Sequence, residues 1–363
     1  MNYDFCILGA GIAGLSLADA LLEQNFTVAV LEKHDVAAGA SGTPGGLVNP
    51  ATGRRAKKTW KTEQCYPAIR HNLEKIQNFS SQKFFRNNGL LRPALSHKMA
   101  RKMHERYEET SWPEGWCIWQ SEQQIKDRHP GINCVDGGLW LPIGLTVDVG
   151  AYLHAYADFL VAKDVLIETG VEPDFHRKNN RWTVQISGTQ LQCEHLVFAT
   201  GFDTTHHPFW KFLPLEGVKG QVARFKAKKP LLAFDHSISS MGYIARLGKP
   251  TEFIQGSTYN HDFDDIQPDT EGVEYLRGRS RKVLPELAKN ATLIDQWAGV
   301  RLNAPDRKPV LGSHPEIKNL HVFTALSSKG LMYGKFLAEH FADHFRNSTP
   351  LFPEISIERF GSA

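Results

Sequence analysis

The first 32 residues change character in a way that predicts strand, turn, helix, strand. Residues 3–8, Tyr-Asp-Phe-Cys-Ile-Leu, are a short and mostly apolar run, as a buried strand requires. Gly9-Ala-Gly11-Ile12-Ala13-Gly14 follows and is too rich in glycine to continue it. Residues 15–24 have helical character, and Asn25 is a stop signal. Residues 27–31, Thr-Val-Ala-Val-Leu, read as a second strand that ends in Glu32. Each piece of this βαβ unit has a physical task. Gly9 permits the tight turn, Gly11 lets a pyrophosphate approach the backbone, and Gly14 lets the helix pack close to the strand. The helix N-terminus offers free N–H groups to phosphates. The Glu32 carboxylate can accept hydrogen bonds from ribose hydroxyls and would repel the 2′-phosphate of NADP. On this segment alone the ligand is NAD or FAD.

Downstream, Gly39-Ala40-Ser41-Gly42-Thr-Pro-Gly45-Gly46 reads as a small-residue loop directly after the acid, not a helix or regular strand. Residues 62–80 and 95–111 read as polar helices, and residues 112–145, with four tryptophans among Pro and Gly, as a strand-rich region. Residues 146–163 carry Val149, Leu153, Tyr156 and Leu160 on one helical face. Residues 165–171 and 182–186 read as strands. So do residues 195–201, which end in the small-residue turn Ala199-Thr200-Gly201, where a strand end can pass close to a bound cofactor. Residues 217–260 hold several strand-like runs broken by Gly and Pro, the place for an antiparallel sheet. A helix over 271–288, a strand over 320–326 and a helix over 334–346 complete the reading.

Composition narrows the class. The 363 residues are 41% hydrophobic and 22% charged, enough for a sizeable core and two domains. The net charge of +3 does not by itself call for a nucleic-acid partner. The five scattered cysteines form no CxxC pair, which argues against a zinc site or a disulfide framework and for a reducing, cytoplasmic compartment. No signal peptide or membrane span is expected. His206-His207 lacks an evident third ligand, so no metal is expected. The run Arg54-Arg55-Ala-Lys57-Lys58 is a basic cluster that suits solvent or phosphates.

Taken together, Gly9-x-Gly11-x-x-Gly14 with Glu32, Ala40-Ser41-Gly42 with Gly45-Gly46, Ala199-Thr200-Gly201, Lys219-Gly220-Gln221, Gly256-Ser-Thr258 and Trp297-Ala-Gly299-Val-Arg301 resemble the D-amino-acid oxidase superfamily of FAD-dependent amine oxidoreductases, over nearly the whole chain. Residues 39–50 and 327–332 are similar to the oxidase half of a bifunctional enzyme that modifies the tRNA wobble uridine. The resemblance implies an α/β chain: a Rossmann-like FAD-binding domain of residues 1–80, 145–215 and 295–363, and a second α+β substrate domain of residues 81–144 and 216–294 built on an antiparallel sheet. It implies oxidation of the C–N bond of an amino acid or N-substituted glycine by hydride transfer to flavin N5. The alternative substrate is the carboxymethylaminomethyl side chain of wobble uridine in tRNA. Arg301 and Tyr243 match residues that hold the substrate carboxylate, and Ser328, Lys329, Gly330 and Leu331 match the loop near the flavin pyrimidine ring, where Lys329 either supplies a positive charge that would stabilise the reduced flavin or points to solvent. Gly9, Gly11, Ile12, Ala13, Gly14, Glu32, Lys33, Ala40, Ser41, Gly45, Gly46, Leu47, Val171, Ala199, Thr200, Gly201, Arg301, Ser328, Lys329, Gly330, Leu331 and Met332 are the implied cofactor contacts. Gly330-Leu-Met-Tyr333 has no cysteine where covalent flavoproteins of this type carry one, so FAD is expected to be bound non-covalently.

Overall fold

The computed structural model describes residues 1–53, 55–186, 188–228 and 235–361, apart from the side chains of 287 and 288. The opening unit forms as expected: strand β1 (Asn2–Leu8), helix α1 (Ile12–Glu23) and strand β2 (Val28–Leu31). Asn25 takes φ +63° and ends the helix in the left-handed conformation that an asparagine tolerates. β1 runs parallel to β2 on one side and to strand Thr189–Phe198 on the other. Strand Leu166–Glu168 extends the parallel set beyond β2, and Leu320–Thr324 pairs parallel with Thr189–Phe198. An antiparallel hairpin, Asp174–Lys178 with Arg181–Ile186, completes one edge, and Val310–Ser313 pairs with Leu320–Thr324. Phe5 to Leu8 and Val28 to Leu31 are all buried, the continuous apolar run of strands covered on both faces.

Helices α1, Thr62–Phe79, Val149–Val161 and Gly330–Asn347 share one hydrophobic core with this sheet. The last begins one turn earlier than the pattern predicts. A Cβ at Gly330 would lie 3.0 Å from Ile12 Cδ1, and one at Gly334 would lie 2.6 Å from Ile12 Cγ2. The glycines thus let that helix press its first turn against the start of α1.

A second eight-stranded sheet runs in the order Thr292–Asn303, Glu216–Lys226, Glu252–Gly256, Tyr243–Ala245, Ser237–Ile238, Leu90–Pro93, Gly138–Leu141, Ile118–Gln120. Its pairs are antiparallel except Ser237–Ile238 with Leu90–Pro93, which are parallel. The 12-residue strand Thr292–Asn303 runs through the expected domain boundary at 294/295.

Local departures have local causes. Within residues 112–145 a helix, Glu122–Arg128, interrupts the strands; the Ser121 and Gln124 side chains form a reciprocal capping box that starts it. The helix expected over 271–288 is two, Thr270–Val283 and Pro285–Lys289, because Pro285 cannot continue the first. Gly46, the last residue of the expected loop, opens a short strand, Gly46–Val48. Val171 lies beyond its strand, with its N–H bonded to the Glu32 carbonyl at 3.0 Å.

Candidate active site

The C-terminal ends of the parallel strands converge on one edge of the first sheet. Gly9 leaves β1 with φ +111°, a conformation L side chains rarely adopt. A Cβ there would lie 2.5 Å from the Ala199 carbonyl oxygen, so the glycine turn and the Ala199-Thr200-Gly201 turn touch backbone to backbone. A Cβ on Gly14 would collide with the Gly9 carbonyl oxygen. Gly11, in extended conformation, precedes the first residue of α1, and among the described residues no acid lies in that helix's first turn. Ser41 Oγ accepts a hydrogen bond from the Ile12 N–H at 3.1 Å. The Glu32 carboxylate accepts from the Ala10 N–H at 2.8 Å and the His34 N–H at 2.9 Å, which fixes it at the end of β2. These are the features a dinucleotide requires: bare backbone beside a helix N-terminus, and a fixed acid one strand away. Lys33 instead reaches outward to the exposed Glu172 at 2.9 Å.

The second sheet turns one face toward this edge. Val222, Ala245 and Ile254 are packed there with Leu47, Tyr243 and Trp297. Gly220 and Gly299 are direct cross-strand partners. The absence of side chains at this pair makes a shallow trough. The Trp297 indole lies against Gly299, where a Cβ would be 2.5 Å from Cη2. The Arg301 guanidinium folds over Gly220, so a side chain at Gly220 would collide with it. Arg301 Nη1 donates to the Thr258 carbonyl at 3.3 Å, and its guanidinium sits 4.8 Å from the Tyr259 ring. Among the described residues no carboxylate forms an ion pair with it.

Tyr243 lies over Gly256 and donates its hydroxyl to the Gly45 carbonyl at 2.7 Å. Burial pushes its phenol up to about 12, against smaller opposing effects of the Thr43 side chain and then Arg301. It therefore remains a neutral donor at physiological pH. The turn Ser327–Lys329 packs against the strand that bears Arg301, and turn Ala40–Gly42 packs there too. Lys329 is half-buried and donates to the Arg307 carbonyl at 3.4 Å. Burial, with the charges of Arg307 and Lys57 nearby, holds its amine below the ordinary lysine value.

Gly9, Gly11, Gly14, Glu32, Ser41 and the Ala199-Thr200 turn thus meet at the strand ends, and Arg301 lies on a strand packed against the turns Ala40–Gly42 and Ser327–Lys329, whereas Leu331 and Met332 are buried in the core and the Lys33 side chain reaches outward. Trp297, Tyr259, Thr258 and Arg307 were not foreseen as site residues. Trp297 was visible only as part of a motif. Thr258 likewise stood only in the Gly256-Ser-Thr258 motif; its carbonyl and the Tyr259 ring meet Arg301, and the Arg307 carbonyl meets Lys329, only through tertiary placement. Five free cysteines are all buried, and among the described residues no cluster of His, Cys, Asp or Glu suits a metal ion. No described helix is long and apolar enough to cross a membrane.

The fit makes a clear prediction. Gly14→Ala is expected to abolish flavin retention through purification while leaving the second sheet folded, because its Cβ must force α1 away from the Gly9 turn. Flavin absorbance per polypeptide, measured beside circular dichroism, checks it.

The family model described as DAO, FAD dependent oxidoreductase, matches residues 4–344. Among relatives, the tRNA 5-methylaminomethyl-2-thiouridine biosynthesis bifunctional protein MnmC of Idiomarina loihiensis is 26% identical over 370 residues, covering 98% of this chain and 59% of its own length. The MnmC of Hydrogenovibrio crunogenus is 24% identical over 326 residues, covering 86% of this chain and 47% of its own. The chain therefore spans about half the length of these relatives. Glycine oxidase from Geobacillus kaustophilus superposes with a TM-score of 0.82 at 20% identity, covering 96% of both chains. L-proline dehydrogenase from P. horikoshii gives 0.82 at 18% identity, covering 99% of this chain and 96% of its own. These structures share its fold. The match over residues 4–344, on a chain whose glycine turns and Glu32 suit a dinucleotide, means that this protein belongs to the family of FAD-dependent oxidoreductases.

Proposed function

We propose that this chain oxidises the C–N bond of an N-substituted glycine or amino acid. The observation that carries the reading is the Arg301 guanidinium. It is half-buried over Gly220, facing the cofactor edge, and no described carboxylate pairs with it. A guanidinium so placed suits a substrate carboxylate, which it can grip through two parallel hydrogen bonds. When bound, FAD supplies the acceptor for the hydride lost from the carbon beside the amine. The chain's own residues do the rest. Arg301 fixes the carboxylate and so orients that carbon. Trp297, Tyr243 and Leu47 form an apolar wall that excludes water. Tyr243 pins the Gly45 loop, and would have to leave that carbonyl to reach a carboxylate. Lys329, now bonded to the Arg307 carbonyl, would supply positive charge to a flavin ring bound beside its turn, where developing negative charge needs it.

The glycine turns, Glu32, Ser41 and the first turn of the last helix are proposed to hold FAD without a covalent bond. All five cysteines are buried and none lies in residues 330–333, which supports this. The division into FAD-binding and substrate domains is proposed along the two sheets.

A second reading is favoured by one feature. Lys329 and Arg307 lie side by side, the Lys329 amine 3.4 Å from the Arg307 carbonyl, and the relatives named above are bifunctional proteins of tRNA 5-methylaminomethyl-2-thiouridine biosynthesis. The carboxymethylaminomethyl group of wobble uridine is itself an N-substituted glycine, so Arg301 would serve either substrate.

Anaerobic mixing with a panel of amino acids, N-alkylglycines and tRNA bearing this side chain tests the proposal. At least one member is expected to bleach the flavin absorbance. Failure of all of them to do so would overturn it.

A further inference from the structure

We propose that a basic track leads from the turn Ser327–Lys329 to helix His97–Glu108 and receives the sugar-phosphate backbone of RNA. This rests on the second reading above, that the oxidised side chain is carried on RNA. The track has three parts. At its inner end the Lys329 amine lies 3.4 Å from the Arg307 carbonyl, so these two cationic residues are neighbours, and the charge of Lys57 is felt there too. Like charges gathered this closely repel one another, and a polyanion relieves that repulsion. A small hairpin, Ala51–Thr52 with Lys57–Lys58, carries the charge outward through Lys57 and Arg55, both exposed. Beyond it, Arg55, Lys102 and Arg106 line one groove of about 150 Å³. Arg54 belongs to the same sequence cluster and lies outside the described residues.

The hairpin is anchored rather than loose. Buried Arg92 donates to the Gly53 carbonyl at 2.6 Å and to Ser239 Oγ at 2.7 Å. Lys58 donates to the Ser111 carbonyl at 2.6 Å, pairs with Glu63 and lies 5.2 Å from the half-buried Trp112 ring. Lys57 and Arg55 therefore project from a hairpin anchored at Gly53 and Lys58. Glu105 and Glu109 also line the groove, and Arg106 pairs with Glu109 at 3.3 Å. These acids temper the field without cancelling it, since three cations face two carboxylates there.

The test uses the full-length flavin-loaded protein and an unmodified tRNA transcript, with affinity measured across a salt series. Wild type is expected to lose affinity steeply with salt. Arg55→Glu and the pair Lys102→Glu/Arg106→Glu are each expected to weaken binding about tenfold or more and to reduce the salt slope by about one per contact removed. Arg177→Glu/Lys178→Glu, on the exposed edge strand of the first sheet, is the control and is expected to have no such effect. Flavin content should match wild type in every variant. If the groove reversals act no more than the control, the track is wrong and the RNA reading stands. If wild type shows no salt-dependent tRNA binding, both fall.

Discussion

An Arg301→Ala variant is expected to keep its flavin and lose about 10²- to 10⁴-fold in kcat/KM. The size follows from what is removed. Two charge-assisted hydrogen bonds to a carboxylate are each worth about 1.5–3 kcal/mol, and each 1.36 kcal/mol is about tenfold in rate. Arg301→Lys keeps the charge but not the planar fork, so its loss is expected to be smaller, about 10- to 100-fold. Gly220→Ala is the more telling change, because it leaves Arg301 in the sequence. The new Cβ would occupy the space of the guanidinium, which must then swing out of the trough. Its kinetics should therefore resemble those of Arg301→Ala, with KM raised and flavin content normal. Stopped-flow reduction of the flavin by whichever substrate the panel identifies gives both constants. Loss of less than about threefold in both variants would mean that the carboxylate is gripped elsewhere.

Much of the cofactor edge was legible in sequence because its demands are local. A glycine at φ +111° or pressed against a carbonyl leaves a mark that a linear reading can find, as Gly9 and Gly14 do. Glu32 was legible for the same reason, since it ends the strand that follows the helix. The substrate side was less so. Arg301 and Tyr243 were reached through resemblance, and their surroundings depend on which strands lie side by side. Nothing near Gly220 in sequence says that Gly299 is its partner across the sheet. The parallel pairing of Ser237–Ile238 with Leu90–Pro93 joins segments far apart in the chain, and no periodicity encodes it. The charged interior behind α1 was missed for another reason. Asp19 sits among apolar residues of a helix and looks like an exposed face until three other helices are seen to cover it.

That interior gives the largest expected effect on stability. Asp19→Ala is expected to destabilise the folded chain by about 3–5 kcal/mol, the usual cost of stranding one partner of a buried pair. Asp19 and Lys335 are each only 1% exposed and lie 2.6 Å apart. Lys75 approaches the same carboxylate at 2.7 Å, and Tyr156 donates to it at 2.7 Å. Without Asp19, Lys335 would retain among the described residues the carboxylates of Glu23 and Glu339, each about half exposed. Lys335→Met is expected to cost less, because Lys75 and Tyr156 still satisfy the acid. Asp19→Leu/Lys335→Met should recover much of the loss, since an apolar pair has no charge to desolvate. The pH dependence has a definite sign. Burial would raise the Asp19 carboxyl, but Lys335 and Lys75 outweigh it and hold the group below its ordinary 3.8. Its contribution is therefore full above 3.8 and fades as pH falls through the lowered value. Burial would lower Lys335, but Asp19 and Glu23 raise it above 10.5, so its share is lost only as pH climbs past that raised value. Urea unfolding of the three variants at neutral pH, and of wild type down an acid series, measures both. The same variants should hold flavin less tightly, because Lys335 and Gly334 belong to the helix that presses on Ile12 and so sets the first turn of α1. A stability loss without any loss of flavin affinity would show that the helix N-terminus is positioned independently of the buried charges.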